Sequence, residues 1–258
     1  MKFSDSVVLL KKVFDAYRNQ KLNYLFAVLL ASLVACAPPV ERHSILGTTY
    51  GWEKDAYDVK ILLDAKIDKL QVRHVRLNDP TCIGGFADHM EISGEVGPDS
   101  TAAVARLIPQ LKVCEYINPS DSDSAFKYRS NAAFLSSGGG LLKDGYALGN
   151  LFRENNISTI ITGGQKCASS CAIAFLGGIH RKMEHDAQIL FHAPYLTNGI
   201  SIDCQDTGQV VGLQNYYKSM LGEKDGEFLL QRTMSYCSVS SGWTLNADGA
   251  KLFGITTH

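Results

Sequence analysis

Residues 131–140 read NAAFLSSGGG, an apolar stretch that runs straight into two serines and three glycines. Asn131 to Leu135 has the length and composition of a buried strand, and Gly138-Gly139-Gly140 marks where it meets a turn. On the C-terminal side a helix is expected, with Gly145, Leu148 and Phe152 on one face. Ile157 to Ile161 is β-branched and apolar, a second buried strand that ends at Gly163-Gly164. Cys167-Ala168-Ser169-Ser170-Cys171 then leads into the small apolar run AIAFLGG, and Ala187 to His192 reads as a third strand. Two or three helices are expected between residues 209 and 253. On the N-terminal side Met90 to Gly94 suggests a short strand closed by a glycine turn. TAAVARLIPQLK follows, with Val104, Leu107, Ile108 and Leu111 on one helical face and Asp99, Ser100 or Thr101 placed to cap it. Short strands alternating with helices predict an α/β fold with largely parallel pairing.

The chain has 258 residues, 45% hydrophobic and 20% charged, with a net charge of −1. Such a composition fits a globular core and excludes fibrous, collagen-like and disulfide-knot classes. Without a basic surplus there is no electrostatic basis for binding nucleic acid.

Residues 24–35, YLFAVLLASLVA, form an uncharged apolar run after Arg18 and Lys21. A spanning helix needs about 20 apolar residues, so a basic flank, a short apolar core and small residues at its end fit a secretory signal better. Leu33-Val34-Ala35-Cys36 is similar to the bacterial lipobox, which makes Cys36 the candidate lipidation site and mature N-terminus. The 23 residues ahead of the run are long for a signal. That leaves an uncleaved membrane anchor as the second reading and a buried helix as the third. Either of the first two places the rest of the chain in the cell envelope, facing the periplasm. That part carries 20 Lys/Arg against 24 Asp/Glu and, beyond Cys36, six cysteines. An even set in an oxidising compartment points to disulfides, with fifteen connectivities open. Cys167 and Cys171 are four residues apart, a spacing that a helix brings within bonding range. Cys204 with Cys237 is the next pair, and Cys82 with Cys114 remains. No paired C-x-x-C is present, so a zinc site is not expected.

Three segments place chemistry-bearing residues where a buried strand ends, which is where open α/β folds hold ligands. Glycines at 138–140 let backbone N–H groups face a ligand, although a triple glycine is more often a plain turn. Ser169 at a helix start gains from the helix dipole as a nucleophile, although most serines in that place are caps. His192 can accept a hydroxyl proton as general base, although a structural histidine bonded to backbone is the commoner case.

Taken together, Ser137-Gly-Gly-Gly, Cys-Ala-Ser169-Ser-Cys and Phe191-His192-Ala-Pro194 occur in the order of the ClpP/crotonase superfamily, which residues 90–255 resemble. The closest likeness is to exported ClpP-like proteins with a C-A-S-x-C motif. Ile92-Ser93-Gly94-Glu95-Val96, Gly178, Arg181 and Ala250-Lys251-Leu252-Phe253-Gly254-Ile255 fit the same pattern. The resemblance implies stacked β-β-α units with mainly parallel strands over residues 86–258. Ahead of that domain lie an N-terminal extension at 36–85 and a signal or anchor at 1–35. It further implies a serine peptidase with Ser169 as nucleophile, His192 as base and Gly139, Gly140 and Ser170 as oxyanion donors. It implies no metal or organic cofactor, a peptide or protein substrate, and homo-oligomers. Gly138 stands where the family has proline. No carboxylate stands near Ser240, Ser241 or Gly242, where the family's orienting aspartate would fall. The candidate third members are therefore Ser241, Asp203 and Asp206. Two other functions remain open at this level: an inactive ClpP-like scaffold lipoprotein, and a crotonase-like acyl-thioester enzyme.

Overall fold

In the computed structural model, residues 59–115, 117, 131–195, 207–237 and 241–257 are described. They belong to one unit spanning His43–His258. The candidate signal, Cys36, Asp203, Cys204 and Asp206 lie outside the described residues. Among the described residues, no helix is long and apolar enough to cross a membrane.

The sequence-predicted strand at 131–135 is β4, Ala132–Gly140, and it runs on through the serines and glycines instead of stopping before them. Its two halves pair differently. Ala132, Ala133 and Phe134 lie parallel to β5 (Ser158–Ile161), whereas Ser137 lies parallel to β6 (Lys166–Ala168). β4 thus belongs to two sheets, which part along its length. Below the fork the order is β1 (Val59–Ile67), β2 (Leu70–Asn78), β3 (Phe86–Val96), β4, β5 and β7 (Arg181–Met183). Above it, β4 is followed by β6, β8 (Gln188–Phe191) and β9 (Trp243–Leu245). Pairing is parallel from β3 through β8 and antiparallel at both margins, β1–β2–β3 and β8–β9. This is a mixed α/β architecture with a parallel centre.

The six described helices are α1 (Ser100–Leu107), α2 (Leu142–Glu154), α3 (Ser170–Leu176), α4 (Thr207–Leu221), α5 (Glu223–Met234) and α6 (Ala247–Leu252). α1 stops four residues short of Leu111, the end of its apolar pattern. Pro109 cannot donate to the i−4 carbonyl, and the chain tightens into a 3-10 turn over Ile108–Gln110. Gly145, Leu148 and Phe152 of α2 are buried as the periodicity predicts. α3 is buried on all sides, so its sequence is apolar all round and includes two alanines. A Cβ at Gly145 would come within 2.7 Å of the Ser170 carbonyl oxygen, which is how closely α2 approaches the start of α3. Met90, Ile92, Leu135, Leu148, Phe152, Phe175, Tyr217 and Leu229 meet in one core between the sheet and helices α2 to α5.

The stretch DAYDVKILLDAKIDKL, amphipathic in the sequence, contributes β1 and the turn before β2. β1 and β2 hydrogen-bond in turn onto β3, so residues 59–78 are part of the sheet. Asp88, fully buried in β3, is satisfied from three directions. Arg76 donates through Nε (2.7 Å) and Nη2 (2.9 Å), His74 Nε2 lies at 2.9 Å, and the Lys112 amide donates at 2.9 Å. Burial alone would raise its pKa. The hydrogen bonds from Arg76, the Lys112 backbone and His74, with the Arg76 charge, hold the carboxyl below its ordinary value.

Arg181 and the closing helix, both singled out by the sequence, are joined. Its guanidinium donates to the Ile255 carbonyl (2.8 Å) and the Gly178 carbonyl (3.2 Å), and burial, then the Arg153 charge, lowers its pKa to about 10.

Asp88→Asn is expected to cost about 2–3 kcal/mol, because it leaves the Arg76 charge without its counter-ion. A carboxyl held below its unfolded value of about 4 stabilises the fold in full above that pH, and the contribution disappears as pH falls through the folded value. Urea denaturation at pH 7 and pH 3 is therefore expected to show a large difference between wild type and Asp88→Asn at pH 7 and a smaller one at pH 3.

Candidate active site

The site begins at the β6–α3 junction. Ala168 is the last residue of β6 and Ser170 the first of α3, so Ser169 alone makes the turn. It does so at φ 57°, ψ −125°, a conformation that side chains rarely adopt. Its amide donates to the Leu190 carbonyl of β8 (2.9 Å), and its own carbonyl accepts from Ile173 of α3 (3.1 Å). The backbone is thus held at both ends while Oγ caps nothing: the side chain makes no cap hydrogen bond to its own helix. Strain of this kind costs about 1–3 kcal/mol and persists only where the surroundings impose it. A sharp, strained strand-to-helix turn is also how a nucleophilic serine is exposed above a sheet. Ser169 is half-buried and faces a cavity of about 1000 Å³, whereas the Ser170 hydroxyl is buried and turned away from solvent.

Above the fork, the glycine end of β4 lies against this turn. A Cβ at Gly139 would come 2.6 Å from Ser169 Cβ and 3.1 Å from Oγ, at a backbone φ of 109°. Only glycine lets β4 pass so close. Buried Ser137 donates its hydroxyl proton to the Gly94 carbonyl and accepts the Gly139 amide at 3.0 Å. The Gly139 N–H is therefore engaged here. Of the three candidate oxyanion donors, Ser170 sits at the first turn of α3, where helix amides lack intrahelical acceptors.

β8 delivers the histidine. It runs parallel to β6 with Ala168 opposite Leu190, so the chain leaves β8 at His192 beside the Ser169 turn. Both residues line the same cavity. His192 Nδ1 lies 2.8 Å from the Ala193 carbonyl oxygen. A carbonyl only accepts, so Nδ1 carries the proton and the neutral ring presents Nε2 as its acceptor. Ala193 is itself held, since its amide donates to the Tyr236 carbonyl (3.1 Å), and Tyr195 stacks on the imidazole at 5.3 Å between centroids. Ser241 is exposed. No hydrogen bond joins Ser169 to His192 among the described residues, a common state for unliganded catalytic pairs.

Ile173, Phe191, Leu213, Tyr217 and Met234 form an apolar part of the cavity lining, and Glu95, Lys143 and Lys166 also line it. Leu213, Tyr217 and Met234 come from α4 and α5. Sequence reading missed them, because core residues of two terminal helices carry no local signal of a pocket. The two described disulfides, Cys167–Cys171 and Cys82–Cys114, are among the candidate pairs of the sequence. Cys237 is also disulfide-bonded, and its expected partner, Cys204, is outside the described residues. Asp79, Cys82 and Cys114 cluster like metal ligands, but with both sulfurs in a disulfide the cluster offers no thiolate.

No family model and no curated protein matches the chain. Among solved structures it is similar to a variant of the 1510-N membrane-bound stomatin-specific protease, with 18% identity, 65% of this chain and 75% of that chain covered, and a TM-score of 0.45. It is also similar to ClpP1 from Listeria monocytogenes, with 16% identity, 64% of this chain and 86% of that chain covered, and a TM-score of 0.45.

The strain at residue 169 yields a test that needs no substrate. Ser169→Gly is expected to stabilise the protein by about 1 kcal/mol, since relief of the positive φ outweighs the added chain entropy of glycine. At an ordinary helix start the same change is neutral to destabilising. Chemical denaturation of the two proteins measures the difference, and a loss of stability would show that the turn is relaxed.

Proposed function

We propose that the protein is a ClpP-like serine hydrolase that cleaves peptide bonds, with Ser169 as nucleophile and His192 as general base. The observation that carries this reading is the pairing of a strained, uncapped Ser169 with a histidine whose Nδ1 proton is fixed by a carbonyl, both on one cavity. On substrate binding, His192 Nε2 takes the Ser169 proton as Oγ attacks the acyl carbon. The Ser170 amide stabilises the oxyanion, joined by Gly140 and by Gly139 once its N–H turns from Ser137. The imidazolium then gives its proton to the leaving amine, and water hydrolyses the acyl-enzyme by the reverse route. The apolar lining formed by Ile173, Phe191, Leu213, Tyr217 and Met234 suits an apolar side chain on the acyl side of the bond.

The Ala193 carbonyl takes the orienting role that a carboxylate has in a Ser-His-Asp triad. It fixes the tautomer but brings only a dipole against the imidazolium, so turnover is slow. Altering the triad aspartate elsewhere costs about 10⁴-fold. The engaged Gly139 amide and the separated Ser169 and His192 side chains favour a second reading, a ClpP-like scaffold without activity. A fluorophosphonate probe decides between them. Labelling of wild type is expected at Ser169, at least 100-fold slower in His192→Ala and absent in Ser169→Ala. Wild type that labels no faster than Ser169→Ala would establish the scaffold.

We also place the protein in the cell envelope, anchored through Cys36. The lipobox-like Leu33–Cys36 and the disulfides, which persist in oxidising compartments, support this. Cys36→Ser is expected to leave an unprocessed, lipid-free precursor in the producing cells. Wild-type protein whose intact mass includes residue 1 and no lipid would overturn the assignment.

A further inference from the structure

The Cys167–Cys171 disulfide spans the turn that carries Ser169, with one residue, Ala168 or Ser170, between each cysteine and the serine. Its anchors are firm. Cys167 lies in β6, paired to Ser137 of β4 on one side and Ile189 of β8 on the other. Cys171 lies in the first turn of the fully buried α3. The bond therefore ties a central strand to a buried helix directly across the strained residue. Both sulfur-bearing side chains are buried, at 0% and 2% exposure, so the bond is shielded from solvent.

Global stability is not what so short a ring best provides. A cross-link restricts the unfolded chain more as its loop lengthens, and a separation of 4 restricts it less than the 32 of Cys82–Cys114. Its effect falls instead on the five residues that it encloses. Within that ring Ser169 holds a φ of 57° that a free chain would abandon, and its Oγ must stay beside both the Gly139 backbone and the histidine strand. The other restraints on Ser169 are two backbone hydrogen bonds, to Leu190 and from Ile173.

We propose that Cys167 and Cys171 are positioning residues for the nucleophile, so that the site is competent only when their disulfide is formed. This rests on the serine-hydrolase reading of the site. Reduction would take two electrons and two protons from a dithiol such as dithiothreitol, which leaves as its cyclic disulfide. The two protein thiols then no longer tie β6 to α3, and Ser169 relaxes from the attacking geometry. Reoxidation, with the electrons returned to an oxidised dithiol, restores it. The consequence is a hydrolase that assembles its nucleophile after reaching an oxidising compartment and stays idle before then.

The test compares the full chain with the double variants Cys167→Ala/Cys171→Ala and Cys82→Ala/Cys114→Ala, by fluorophosphonate labelling and by amide hydrogen exchange at residues 168–171. The first variant is expected to keep the wild-type circular dichroism spectrum, label at least 10-fold more slowly, and exchange those amides at least 10-fold faster. Dithiothreitol in urea below the unfolding midpoint, where local opening admits it to the shielded bond, and with reduction of Cys167 and Cys171 verified by thiol mass tagging, is expected to slow labelling of wild type reversibly and to leave that variant unchanged. The second variant, if folded, is expected to label at the wild-type rate without reductant. Wild-type labelling and exchange in Cys167→Ala/Cys171→Ala would overturn the proposal. Should that variant fail to fold, reduction of folded wild type supplies the same two readouts. Should wild type not label above Ser169→Ala, the hydrolase reading fails, and exchange at residues 168–171 alone decides whether the bond positions the turn.

Discussion

The arrangement depends on one strand serving two sheets. β4 gives its first half to β5 and its second half to β6, and the change of partner occurs between Phe134 and Ser137. The first half is an ordinary buried strand and anchors the core through Ala133 and Leu135. The second half has shed its side chains, because Ser169 packs where a Cβ of Gly139 would sit. A strand with bulky residues in its second half could still pair with β5, but it could not lie against the β6–α3 turn. The fork therefore brings the glycines to the serine, and β8, paired on the far side of β6, brings the histidine.

Around that junction, backbone groups do work that side chains often do elsewhere. The Ala193 carbonyl holds His192, the Leu190 carbonyl and the Ile173 amide hold Ser169, and the Ser137 hydroxyl links the Gly139 amide to the Gly94 carbonyl. These partners bring dipoles and little net charge. Dipoles fix orientation well but stabilise a developing imidazolium less than a carboxylate would, because the ion–ion attraction is missing. Two buried charged groups, Asp88 and Arg181, sit elsewhere in the fold. Asp88 with Arg76 and His74 belongs to β2 and β3, and Arg181 is spent on the carbonyls of Gly178 and Ile255. Burial makes those groups costly unless each finds partners, which is why both are surrounded by hydrogen bonds.

Much of the fold was legible in the residues. Apolar runs at 132–135, 157–161 and 187–191, the α2 face with Leu148 and Phe152, and the glycine and serine turns after the strands all carry local signals, because burial imposes a period and turns impose a composition. The spacing of Cys167 and Cys171 suggested their bond, whereas Cys82–Cys114 was one candidate pair among the connectivities left open. Less was legible in the shortest strands. β6, β7 and β9 are three residues each, too short for any period to show, and they are strands only because neighbours pair with them. The amphipathic look of residues 55–70 does not separate strand from helix, and the pairing of β1 with β2, itself paired with β3, settled the matter.

For the site, the sequence by itself determined the candidates: a serine at a strand-to-helix turn, a histidine at the next strand end, and glycines where a close approach is needed. Those are local facts, written in residue type and order. Tertiary structure alone decided what holds them. A strained φ at Ser169, a carbonyl against Nδ1 of His192, a Gly139 amide bonded to Ser137 and an apolar lining from α4 and α5 have no sequence signature. The reason is physical: backbone carbonyls and amides are identical at every position, so only the fold determines which of them faces a given side chain.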